Sequence, residues 1–124
     1  MKKFVLLVIL ALGIFNIGCE KDEYYIQYAV GLDTRYMGVA LDITYINDNN
    51  EATRLTATDV WSMTIGPVDE DFNASLSVAT QREIGNTTLK ANIQVSKNDG
   101  PFVIKASGES DTSEPVQIEY TIDF

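Results

Sequence analysis

The chain has 124 residues, 18 Asp plus Glu against 9 Lys plus Arg, a formal charge of −9, one cysteine and no histidine. That length allows one domain of ordinary size, and 45% hydrophobic residues is too high a share for a disordered chain. Without histidine there is no Ser-His or Cys-His nucleophile pair, and the acidic balance lacks the cationic surplus that a phosphate backbone demands, so nucleic acid is not an expected partner.

The N-terminus comes first. Met1-Lys2-Lys3 carries positive charge, and Phe4 to Phe15 is apolar throughout apart from Gly13. About a dozen apolar residues fall short of the roughly 20 that span a bilayer, but they match the central region of a secretory signal. Residues 1–18 are therefore read as a signal peptide and set aside from the fold. Small Gly18 followed directly by Cys19, the only cysteine, resembles a lipobox, with Asn16 standing where a leucine-like residue is usual. The resemblance implies cleavage before Cys19 and attachment of diacylglycerol and palmitate-type acyl chains to it. Buried CH₂ groups contribute about 0.8 kcal/mol each, so more than one chain anchors stably.

Residues 19–23 form an acidic tether. Lys21-Asp22-Glu23, just behind the cysteine, resembles the surface-export tag of Bacteroidetes lipoproteins, which implies display on the outer face of the outer membrane. Removing residues 1–18 takes away Lys2 and Lys3 and no acid, so the 9 bases fall to 7 and the formal charge of the mature chain becomes −11. Such a surface favours solubility and repels anionic membranes.

From Tyr24 to Phe124 the apolar residues recur at every second position, the period of half-buried strands, with no sustained helical stripe. Tyr24, Ile26, Tyr28 and Val30 form the first inward set, and Val39, Leu41, Ile43 and Tyr45 the second. Asn47-Asp48-Asn49-Asn50 predicts a turn, because Asn and Asp cap their own turns and tolerate left-handed backbone. Thr53, Leu55 and Ala57 then share a face, followed by Trp61, Met63 and Ile65 before Gly66-Pro67, which is expected to break the strand. Phe72, Ala74, Leu76 and Val78 come next, then Leu89, Ala91, Ile93 and Val95 after a turn at Gly85-Asn86. Lys97-Asn98-Asp99-Gly100 is a hairpin signal, with Asp-Gly expected to supply the positive φ. Phe102, Ile104 and Ala106 are expected to point inward, ahead of a polar loop from Ser107 to Glu114 and a last strand carrying Val116, Ile118, Tyr120 and Ile122.

Seven to eight short strands with turn chemistry between them predict an all-β domain, an antiparallel immunoglobulin-like β-sandwich. The succession Ile43-Thr44-Tyr45, Trp61, Leu76-Ser77-Val78 and Ile93-Gln94-Val95 is similar to the strand order of the mycobacterial membrane protein small (MmpS-like) family. That resemblance implies an immunoglobulin-like sandwich and a role assisting lipid-exporting transporters.

Candidate chemistry is sparse. Loop carboxylates at Asp69, Glu70 and Asp71, or at Glu109, Asp111 and Glu114, offer paired acids for a hydrolase, but acids without a positioning cleft do not make a site, and no enzyme is expected. Asp69, Glu70 and Asp71 also offer oxygens to Ca²⁺, though without the spacing of a dedicated calcium loop, so no cofactor is expected beyond a possible calcium ion. Tyr25 and Tyr36 fall opposite inward-facing neighbours and, with Trp61, are the candidate ligand-binding aromatics; Trp61 is also a natural core residue. The expectation is an outer-membrane or cell-surface lipoprotein whose non-catalytic sandwich binds a protein or glycan partner. A periplasm-facing envelope or transporter accessory protein is the alternative.

Overall fold

The structure, a computed structural model, describes residues 21–123; the expected signal peptide, Cys19 and the expected cleavage site before it lie outside the described residues. Eight strands follow in chain order: β1 (Tyr24–Asp33), β2 (Ala40–Ile46), β3 (Ala52–Thr58), β4 (Trp61–Val68), β5 (Asn73–Thr80), β6 (Thr88–Lys97), β7 (Val103–Ser110) and β8 (Val116–Thr121). They form two four-stranded sheets, ordered β4-β1-β6-β7 and β3-β2-β5-β8, with every neighbouring pair antiparallel. The domain is the expected all-β, immunoglobulin-like sandwich.

The alternation in sequence becomes the division between core and solvent. Strands expose opposite faces at successive residues, so the inward sets of β1, β2, β5 and β6 meet between the sheets. Ile26, Tyr28, Leu41, Ile43, Val78, Leu89, Ile93 and Val95 are all fully buried there. Burying each such side chain contributes roughly 1.5–3 kcal/mol, which lets a domain without a disulfide hold together.

The strand order contains a repetition that the sequence does not show. Shifting each strand number of the first sheet by four, with the count returning to one after eight, turns β4-β1-β6-β7 into β8-β5-β2-β3, which is the second sheet read backwards. Each half of the chain is thus a strand, a hairpin in the opposite sheet, and a returning strand that pairs with the first. At the edges the equivalence fails: β7 and β8 pack together and close one side, whereas β3 and β4, though consecutive, diverge. Leu55 and Ala57 on β3 and Trp61 and Met63 on β4 consequently stay only half-buried.

Three local expectations are corrected. Gly66-Pro67 does not end its strand, because β4 runs on to Val68 and pairs it with Tyr24 past a bulge in which Gly66 and Pro67 lie opposite the single residue Tyr25. An edge strand has an unpaired side on which proline is tolerated. In β7, Ala106 pairs with Ile93 but Ile104 pairs with Gln94, so Lys105 is an extra residue in a bulge. A bulge resets the alternation; Phe102 and Ile104 therefore lie exposed, at 38% and 58%, instead of in the core. The loop expected from Ser107 is also shorter, since β7 continues to Ser110. The hairpin after β6 forms as expected, with positive φ at Asn98 (52°) and at Asp99 (64°) of the Asp-Gly pair, consistent with a turn whose two central residues are both left-handed.

Candidate binding site at the loop end

The sandwich has two chemically different ends. At one, the tether enters beside the β2–β3 turn, the β4–β5 loop and the β6–β7 turn. At the other, residues 34–39, 59–60, 81–87 and 111–115 connect the strands. Acids crowd the tether end, where Asp48, Asp69, Glu70 and Asp71 line a hollow of about 440 Å³ with Asn50, Pro67 and Phe72. Among the described residues no three acidic or thiol side chains converge as a metal-holding group. Asp69 instead lies 3.8 Å from the Lys21 ammonium, and Asp71 adopts a left-handed φ of 77° while its amide donates to the Ile122 carbonyl. The other acidic group is equally dispersed: Glu109 lies on β7, and Asp111 accepts from the Ser113 amide and hydroxyl, which hold its carboxyl below the ordinary carboxylate range.

The loop end holds a larger concavity, about 650 Å³, between the β1–β2 and β5–β6 connections. Tyr36, Met37, Gly38 and Val39 form one wall, and Gln81, Arg82, Glu83 and Ile84 the other. In the topological repeat these two connections are equivalent. The volume falls within the range of small-ligand sites, and loops carried on a rigid scaffold are common binding elements.

Both walls are pinned by side-chain to backbone hydrogen bonds. Asp59, left-handed at φ 64°, accepts from the Gly38 amide at 3.0 Å and the Val39 amide at 2.7 Å. Thr34 and Thr87 share a hydroxyl hydrogen bond of 2.7 Å across the base, and the Tyr36 amide donates to Thr34 Oγ1. On the opposite wall, buried Thr112 accepts from the Ile84 amide at 2.8 Å and donates to the Ile84 carbonyl at 3.0 Å. Thr80 donates to the Arg82 carbonyl. With the backbone so held, Tyr36 remains 48% exposed and Met37 88%, and Val60 in the neighbouring β3–β4 turn is 68% exposed. Tyrosine, methionine and arginine are residue types enriched at protein interfaces.

The three candidate aromatics do not share one surface. Tyr36 lies on the rim of the concavity. Tyr25 sits on the outer face of the first sheet, against Gly66, where a Cβ would approach its Cδ2 to 2.8 Å. Trp61 packs at the divergent β3/β4 edge, its ring 5.3 Å from that of Tyr45, which is itself 5.4 Å from Tyr28. Trp61 thus completes a row of rings that fills the open edge. Met37, Arg82 and Glu83 were not among the residues singled out from sequence; a Tyr-Met pair before Gly38 and a charged run before Gly85 were the available signals. No protein-family model matches the chain, and none of the curated proteins matches it.

Proposed function

We propose that this chain is a lipid-anchored, non-catalytic binding module, tethered through Cys19 to the outer membrane and displayed at the cell surface, whose loop-end concavity receives a protein or glycan partner. One observation carries the reading: the pinned concavity with its exposed Tyr36 and Met37 lies at the end of the sandwich opposite the tether. A site placed there faces away from the anchoring membrane. The Tyr36 ring offers a stacking face, while Gln81, Arg82 and Glu83 supply an amide, a guanidinium and a carboxylate for hydrogen bonding.

The test uses a photo-crosslinking residue at Met37 in intact cells, with the same residue at Lys90 as the control. The expected result is an adduct specific to position 37 that disappears with Tyr36→Ala and Arg82→Ala. Adducts that match the control, or survive both substitutions, remove the concavity from consideration. Protease shaving of the same cells separates the two locations. Cleavage of the body alongside known surface proteins supports display, and complete protection favours the periplasm-facing accessory role.

A further inference from the structure

We propose that the tether is part of the folded domain, so that the anchored sandwich stands upright on the bilayer at a fixed height with its concavity directed outward. The proposal rests on lipidation of Cys19, and its own content is the clamp that joins residues 21–23 to the β6–β7 turn.

Asn98 makes that clamp. Its Oδ1 accepts from the Glu23 amide at 2.9 Å, its Nδ2 donates to Asp22 Oδ1 at 2.9 Å, and its own amide donates to the Glu23 carbonyl at 2.8 Å. These bonds extend the β1–β6 ladder beyond its last pair, Tyr24 with Lys97. The Lys97 ammonium reaches Asp22 Oδ2 at 3.6 Å, and Lys21 reaches Asp69. A flexible linker would leave all of these groups to water. Here the acidic tag is held by both backbone and side chains, and its orientation is that of the sheet.

Only Glu20 separates Lys21 from Cys19, so the two lie two residue steps apart. Fully extended, those steps reach about 7 Å at most. The tether end is thus confined within about a Debye length of the headgroups. β1 has ten residues, and at about 3.3 Å each it carries the loop end roughly 30 Å further out. With the clamp closed, residues 21–23 add no slack, so the concavity is held at the end of the sandwich farthest from the anchor and its partner approaches from that side.

The mature lipoprotein leaves a convenient handle. With Cys19 consumed by lipid, an introduced cysteine is the single free thiol. The experiment reconstitutes full-length lipidated protein in phosphatidylcholine vesicles containing acceptor-labelled lipid, after mass spectrometry of the Cys19 peptide. A donor dye is placed at Asn49→Cys on the tether end or Met37→Cys on the loop end. Energy transfer is expected to be several-fold stronger from position 49 than from position 37. Asn98→Gly, which keeps the left-handed turn but removes the clamping side chain, should bring the two efficiencies together without loss of the folded circular dichroism spectrum. Equal transfer from both positions in the lipidated parent, or an unchanged difference with Asn98→Gly, overturns the clamp. A Cys19 peptide without lipid overturns the anchor reading and this proposal together, and is told apart by mass alone.

Discussion

The Tyr28 hydroxyl donates to the Ile46 carbonyl oxygen at 2.7 Å, joining an inner strand of one sheet to the end of a strand in the other. The residue is fully buried, and burial pushes its phenol well above the ordinary tyrosine range. Tyr28→Phe should cost about 1 kcal/mol at neutral pH, the net worth of such a bond, measured by urea unfolding. Because the folded pKa is raised, its contribution is complete below the unfolded value of about 10. It is then lost with rising pH at about 1.4 kcal/mol per pH unit until the folded value is passed. The variant should lack that component of the alkaline decline; an identical slope in both proteins would refute the assignment.

Asp22 moves in the opposite direction. The Asn98 side-chain hydrogen bond, aided by Lys97, holds its carboxyl below the ordinary carboxylate range. A depressed folded pKa means that the contribution is intact above the unfolded value of about 4 and disappears as pH falls through the folded one. Acidification below about pH 4 should therefore loosen the tether, seen as movement of the Asn98 side-chain amide resonances toward their free positions. In Asp22→Asn the same resonances should titrate less.

Asp59 determines the shape of the concavity. Asp59→Ala removes the acceptor for two amides and forces alanine into a left-handed φ, so a loss of about 2 kcal/mol is expected. Faster hydrogen exchange at Gly38 and Val39 should accompany it. Asp59→Asn, which tolerates the backbone and keeps one acceptor, should fall between alanine and the parent.

The closed β7/β8 edge depends on a missing side chain. A Cβ on Gly108 would lie 2.9 Å from Val116 Cγ1 and 3.1 Å from Ile118 Cγ2, on branched side chains with little freedom to yield. Gly108→Ala should destabilise by about 1–3 kcal/mol. Gly31→Ala, with open space around the new methyl, serves as the control and should change thermal stability little.

The bulge at Lys105 predicts a contrast within one paired region. Ile104→Thr, on the exposed side, should shift stability by no more than about 0.5 kcal/mol. Ile93→Ala in the core should cost about 2–5 kcal/mol. Comparable losses from both would place Ile104 inside and contradict the register.

Where hydrophobic period and turn chemistry agree, as in β1, β2, β5 and β6, the strands were legible from the residues alone, including the Asn47–Asn50 turn. Reading failed where one residue shifts the register, because an inserted Lys105 looks like any other charged residue until its partner strand is known. It failed at Pro67 for a related reason: tolerance of proline depends on whether the strand is an edge, and edges are a property of sheet order. Tyr36 was recognisable as a candidate, but its companions Arg82 and Glu83 lie more than forty positions along the chain. Only the pairing of distant strands brings those two loops together.

The strand exchange between the two halves bears on when this protein can fold. β1 is flanked by β4 and by β6, and β5 by β2 and by β8, so each half borrows its inner neighbour from the other. A chain emerging N-terminus first, from a ribosome or any narrow passage, has no partner for one side of β1 until Thr88 is free and cannot complete that side until Lys97 is. Such long-range pairing slows folding and postpones collapse. Until then the first half is an unfinished sheet, pliable enough to be threaded and exposed enough to need shielding.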